Sequence, residues 1–377
     1  MRISFFLKIF YFFPLAFNII AYPINNFKIR TPIDTTFQEM DSTISKVWQI
    51  DQDSSASSQL IISENKIFYT LENGLIYCYD FNGNKKWIAE AFGTIKNNSD
   101  QYKDLFLTAT SEGDLYSINA NNGDVVQIIG VGENITSDLA LIDLPNTGFT
   151  SKGVVFGTEE GNIICYDIFS FEMIWKNKIS KYPLISNPLF INDKIIIKDS
   201  ASTVFCINAK SGILIWKLDI NQKEAVNDFT KIFTNGKSVF ILTSTGELLA
   251  IDLMLGKKVW STKIPDAIPH FELSGNKQEL ILLNKKGEII FISSSDGKEK
   301  NKTELKKNGI TNFYYDSKSN LALVAFTDGT VYRLDVNQRL YELLKVEDSP
   351  ITALKVLSDN QFIISSQNGK ILLYKID

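Results

Sequence analysis

The chain has 377 residues, 44% of them hydrophobic and 12% aromatic, with a formal net charge of −4 and a pI near 5.4. That balance excludes the basic footprint that nucleic-acid binding requires. One histidine, His270, and three cysteines without a Cys-x-x-Cys spacing leave no two-histidine zinc site, no cysteine metal pair and only a single residue on which a histidine triad could rest.

At the N-terminus, Arg2 and Lys8 accompany an apolar stretch from Ile9 to Ile20, interrupted by Pro14 and Asn18, and Ala21 is small enough for a cleavage site. Residues 1–22 therefore read as a secretory signal peptide, with an uncleaved anchor as the alternative. Residues 23–45 read as a polar, irregular leader. Lys46-Val47-Trp48-Gln49-Ile50 follows as an isolated strand.

From residue 60 onward one unit recurs: a glycine, a short apolar strand, an Asp or Asn, a second turn and a Trp. It runs from Gly74 to Asp80 with Gly83 and Trp87, from Gly161 to Asp167 with Trp175, and from Gly246 to Asp252 with Gly256 and Trp260. Gly113 leads to Asn119 and Gly123 with Gln127 in the Trp slot, and Ser202 replaces the opening glycine ahead of Asn208, Gly212 and Trp216. Worn copies open at Gly287, Gly329 (to Asp335) and Gly369. The spacing of about 40 to 48 residues fits four-stranded propeller blades and exceeds leucine-rich, ankyrin or tetratricopeptide periods.

Inside each copy the second and fifth positions after the opening residue are apolar, as at Ile76 and Tyr79 or Val204 and Ile207. These lie on opposite faces of a strand, so the strand is covered on both sides, as in a blade stacked between two others. Leu60–Ser63, Ile67–Leu71, Leu75–Tyr79 and Lys86–Ala89 read as the four strands of the first blade, with tight turns such as Asn73-Gly74 between them. The last copy stops short of an outer strand, and the strand around Trp48 is expected to supply it, closing the ring and removing a sheet edge. The fold expected is an all-β, eight-bladed propeller of four-stranded antiparallel blades, a single domain over residues 46–377.

In-register residues are expected to be scaffold: Trp48, Trp87, Trp175, Trp216 and Trp260 as wedges between blades, and Asp80, Asp167, Asp252 and Asp335 as turn residues capping backbone N–H groups. Cys78, Cys165 and Cys206 occupy one slot on three blades, too far apart for a disulfide. His270, between Pro269 and Phe271, is expected in an irregular segment.

The string GELLAIDLMLGKKVW from Gly246 resembles the repeat of pyrroloquinoline-quinone-type propellers, and nearly all of the chain after the leader is covered by such copies. Two branches of that family differ in what they imply. Quinoprotein dehydrogenases bind the quinone with calcium on the ring axis and are larger. The outer-membrane assembly factor BamB family comprises eight-bladed periplasmic propellers without enzymatic activity, and the plan of this chain is similar to theirs.

That resemblance implies a non-enzymatic periplasmic scaffold that assists insertion of β-barrel proteins into the outer membrane. It implies no catalytic residue, cofactor or metal, a monomeric chain held at the membrane through protein partners, and the barrel-inserting subunit as chief partner. Leu139, Leu141 and Ile142 resemble the family's Leu-x-Leu-Arg partner loop, with Ile142 in the arginine place, and equally read as the inner strand of their blade. No cysteine near Ala21 supplies a lipobox. The alternatives are a quinone-dependent dehydrogenase, which would need an axial pocket lined by arginine and carboxylates, and a propeller for another protein or surface ligand.

Overall fold

The computed structural model describes residues 38–39, 44–52, 60–63, 65–96, 99–144, 151–220, 231–305, 307–316, 318–335, 340–345, 349–358 and 360–376. The chain divides into two units, Met1–Asp34 and Thr35–Asp377, and all described residues belong to the second. The proposed signal peptide and residues 23–37 and 40–43 of the leader lie outside the described residues.

Blade 1 is made of Ile61–Ser63, Lys66–Thr70, Leu75–Asp80 and Lys85–Glu90, running from the inner to the outer strand. Blades 2 to 7 repeat that order over residues 100–130, 140–178, 189–219, 233–263, 267–304 and 310–345. Blade 8 takes Ile351–Ser358, Gln361–Ser366 and Lys370–Ile376 from the C-terminus and its outer strand, Ile44–Asp51, from the N-terminal side. Trp48 pairs with Leu373, the same register by which Trp87 pairs with Cys78 in blade 1. The closing strand thus begins at Ile44, two residues before the sequence boundary.

The core is distributed between blades. Eight clusters of buried apolar side chains occupy the eight interfaces. Phe68, Ile76 and Trp87 of blade 1, for example, meet Phe106, Tyr116 and Ile118 of blade 2. The cluster between blades 8 and 1 joins Ile363, Ile371 and Leu373 to Leu60, Ile67 and Tyr69, with Trp48 packed against it. Each fully buried Phe or Ile contributes about 1.5–3 kcal/mol of transfer free energy, so an unclosed ring would leave two such faces in water.

Two segments depart from the sequence reading. Gln38 and Glu39, assigned to the irregular leader, pair in parallel with Leu340 and Tyr341 on the outer edge of blade 7. Pairing to a sheet edge uses backbone N–H and C=O groups, so the side chains carry no signal of it. His270 lies within the inner strand of blade 6, Ala267–Leu273, where the register slips between Ala267 and Phe271. Pro269, which has no N–H to donate, sits inside that bulge.

Candidate functional site

The repeat residues form one seam, used at every Trp. Each indole Nε1–H donates to a backbone carbonyl of the next blade: Trp48 to Phe81 (3.0 Å), Trp87 to Ala120 (3.1 Å), Trp175 to Ala209 (3.1 Å), Trp216 to Leu253 (3.0 Å) and Trp260 to Ser294 (3.3 Å). The second glycine of that next blade lies flat against the same indole. A Cβ on Gly83, Gly123, Gly212, Gly256 or Gly297 would stand 2.5–2.9 Å from the ring of Trp48, Trp87, Trp175, Trp216 or Trp260 respectively. Trp and glycine are thus partners across blades, although they are neighbours within a repeat.

The exception obeys the same rule. Blade 2 has Gln127 in place of Trp, and at the matching turn blade 3 has Phe171 in place of glycine, with φ +60°. Both line a small gap beside Ile129 and Tyr166. The carboxylates before these turns cap them: Asp80 accepts from the backbone N–H of Asn82 and Asn84, Asp167 from Phe169 and Ser170, and Asp252 from Met254 and Leu255, all at 2.7–2.9 Å. Lys86 lies 3.0 Å from Asp80, and this bond, with those from Asn84, holds the carboxyl down at about 2. The turn after Asp335 lies outside the described residues. All three cysteines are free and buried, and burial pushes the Cys78 thiol up to about 11 and that of Cys206 to about 12.

A bulge precedes the Trp slot in seven outer strands, because the residue before that slot has no partner in the register. The bulge turns this residue outward. In blades 1 and 6 it is Lys86 or Lys300; in blade 8 it is Val47, and in blades 2 to 5 it is Val126, Ile174, Ile215 or Val259, each of these five 40–53% exposed. The adjoining turns and strand starts of those blades add Phe169, Met173, Ile213, Met254 and Leu255, also exposed. An apolar sector therefore crosses four neighbouring blades, bounded on both sides by lysine, and runs of this kind mark interaction surfaces.

The segment singled out from the sequence is the inner strand of blade 3, Ala140–Leu144. Leu139 and Ile142 are 5% and 1% exposed, while Leu141 is half-buried and packs between blades 2 and 3. Asp100 of blade 2 anchors it, accepting hydrogen bonds from the backbone N–H of Gln101 (2.8 Å) and of Leu141. Just upstream, Glu133 binds Thr158 (2.6 Å), Asn162 and Lys176.

Sequence reasoning missed the axial cavity, about 540 Å³, lined from seven blades. Asn187, Lys231, Glu272 and Tyr314 each stand fifteen residues before the opening residue of their repeat, so one slot carries four different polar side chains in blades 4 to 7. Lys231 lies 3.6 Å from Glu272, and the Lys355 ammonium sits 4.7 Å from the centre of the Tyr314 ring. Burial raises the Glu272 carboxyl, with the two lysines pulling it back. His270, on the inner strand of blade 6, is solvent-exposed. Among the described residues no arginine lines the cavity, and no three metal-donor side chains come together. The residues present do not fit the arginine-lined quinone and calcium site that a dehydrogenase would need.

Lys355 gives a measurable consequence. Burial first, then Lys231, push its ammonium from 10.5 down to about 8, against the pull of Glu272. Between these values the unfolded chain binds more protons than the native one, so stability rises with pH there. Below pH 8 the buried charge is a full cost. Lys355→Met is expected to add about 2 kcal/mol at pH 7, with the gain fading towards pH 10.5; urea denaturation at several pH values checks it, and a loss of stability at pH 7 would contradict it.

Known proteins add an independent line. The family model described as "Outer membrane protein assembly factor BamB" matches residues 36–217, 143–270 and 188–373. The factor of that name from Moranella endobia (strain PCIT) is 22% identical over 233 residues, 59% of this chain and 58% of the relative. That from Shewanella oneidensis is 19% identical over 210 residues, 53% of this chain and 51% of the relative. The match thus spans between half and three fifths of these relatives. The crystal structure of BamB from Moraxella catarrhalis superposes with a TM-score of 0.66 at 16% identity, covering 88% of this chain and 100% of that one. At that identity the likeness shows the propeller fold alone.

Proposed function

The chain belongs to the family of the outer membrane protein assembly factor BamB, and from that premise we propose that it is a non-enzymatic periplasmic scaffold. Its role is to assist the assembly and insertion of β-barrel proteins into the outer membrane by holding protein partners, chief among them the barrel-inserting subunit. The observation that carries this reading is the family match, which runs through all eight blades.

The apolar sector of blades 2 to 5 supports it, since four adjacent bulges expose Val126, Ile174, Ile215 and Val259 where blades 1 and 6 place lysine. A rigid ring that shows such a sector suits protein contact more than catalysis. A contact at Leu139, Leu141 and Ile142 belongs to the same proposal. There Leu141 offers most of the surface, because Leu139 and Ile142 are packed inside the blade.

Export by the N-terminal signal, residence at the outer membrane through partners, and a monomeric chain complete the proposal. Co-purification of the tagged chain from gently solubilised membranes tests it. Recovery with the barrel-inserting subunit, identified by mass spectrometry, is expected; recovery of the chain alone would contradict it.

A further inference from the structure

The axial cavity has a charge pattern that the scaffold role does not use. On the arc of blades 5 to 8, three lysines, Lys231, Lys318 and Lys355, stand against two carboxylates, Glu272 and Asp316, and Lys355 touches the Tyr314 ring. One cation is therefore left without a carboxylate. On the other arc Asp100 and Asp138, from blades 2 and 3, line the wall with Asn187 of blade 4, whose buried Oδ1 accepts no hydrogen bond. A buried acceptor without a donor costs about 1–3 kcal/mol, which a ligand N–H would recover.

Blade 1, between the two arcs, lines the space with Leu60 and Ile62, and Leu139 of blade 3 and Leu357 of blade 8 extend that aliphatic wall. At about 540 Å³ the space lies within the range of small-molecule sites, which pair apolar walls with a few convergent polar groups. The polar slot changes chemistry at each step from Asn187 to Tyr314.

We propose that the axial cavity is a binding site for a small zwitterion with an apolar body, of the class of α-amino acids and short peptides. Its carboxylate lies against Lys355 and Lys231, its ammonium against Asn187 and the aspartate wall, and its side chain against the leucines. The site is independent of the partner surface on the rim, so failure of either reading leaves the other standing.

Calorimetric titration and thermal shift of the full chain with leucyl-leucine, its N-acetyl form and its C-terminal amide test the site. The free dipeptide is expected to raise the melting temperature, and each blocked form to bind at least about tenfold more weakly, the loss of one charge-assisted hydrogen bond. Lys355→Met is expected to abolish the ligand-induced shift, while Lys355→Arg keeps it. The proposal is overturned by no response to leucyl-leucine, by equal binding of the blocked forms, or by an undiminished shift in Lys355→Met.

Discussion

Gly161→Ala is expected to lower the unfolding free energy by at least about 3 kcal/mol, whereas Gly236→Ala is expected to lower it by only about 1–2 kcal/mol. Both glycines have a left-handed backbone, at φ +79° and +91°, so alanine meets the same conformational penalty at each. The surroundings differ. A Cβ on Gly161 would lie 2.3 Å from the carbonyl oxygen of Ser180 and 2.7 Å from that of Tyr182, while Gly236 has no atom within 4 Å of that position. These carbonyls belong to the connection into blade 4, whose amides at Ile179 and Ser180 donate to Gly161 O at 3.1 and 3.2 Å. The backbone cannot retreat without losing both bonds. Urea denaturation of the two variants measures the difference, and equal losses would show that the close approach carries no weight.

Trp48→Ala is expected to cost about 3–5 kcal/mol, the usual range for emptying a large aromatic site. Trp48 is the one in-register Trp that joins the N-terminal strand to blade 1, through its bond to Phe81 O at 3.0 Å, its stacking on Gly83 and its contact with the blade 8–blade 1 cluster. Trp48→Phe keeps the ring surface and removes the donor, and should cost about 1–2 kcal/mol because the Phe81 carbonyl loses its partner. The neighbouring Val47, 49% exposed, is the control: Val47→Ser should change stability by less than about 0.5 kcal/mol. Hydrogen exchange separates ring opening from ordinary core loosening. In Trp48→Ala the amides of both blade 8 and blade 1 should exchange faster while blades 3 to 5 stay protected; uniform acceleration would argue against a seam at this place.

The fold was legible because each blade repeats the same solution to the same packing problem. The slot opposite every Trp, the glycine with positive φ and the capping carboxylate recur at fixed offsets, and a recurrent offset shows in one sequence without any alignment. Closure was legible too, since Trp48 carries the pattern with no repeat in front of it. What the repeat did not show is that its Trp and glycine meet across blades, although Gln127 and Phe171 already hinted at it by failing together.

The functional surfaces were less legible for a physical reason. Lys231, Glu272, Tyr314 and Lys355 come together only when the inner strands of the ring converge on one axis, and they sit 41 or 42 residues apart without any local motif. The rim residues Val126, Ile174, Ile215 and Val259 look like ordinary strand positions until the bulge turns them outward. Leu139 to Ile142, by contrast, drew attention through likeness to a family loop, and their burial reflects the inner-strand role that the same residues also suggested.

Partner binding through the apolar sector is tested most directly with purified components. The chain is titrated calorimetrically with the periplasmic domains of the barrel-inserting subunit from its own host. The account predicts a complex that the doubly substituted Met254→Glu, Leu255→Glu chain does not form, while Lys86→Glu and Lys300→Glu, on the flanking blades, bind as the unaltered chain does. No complex with the unaltered chain, or equal binding by the Met254→Glu, Leu255→Glu chain, would contradict it.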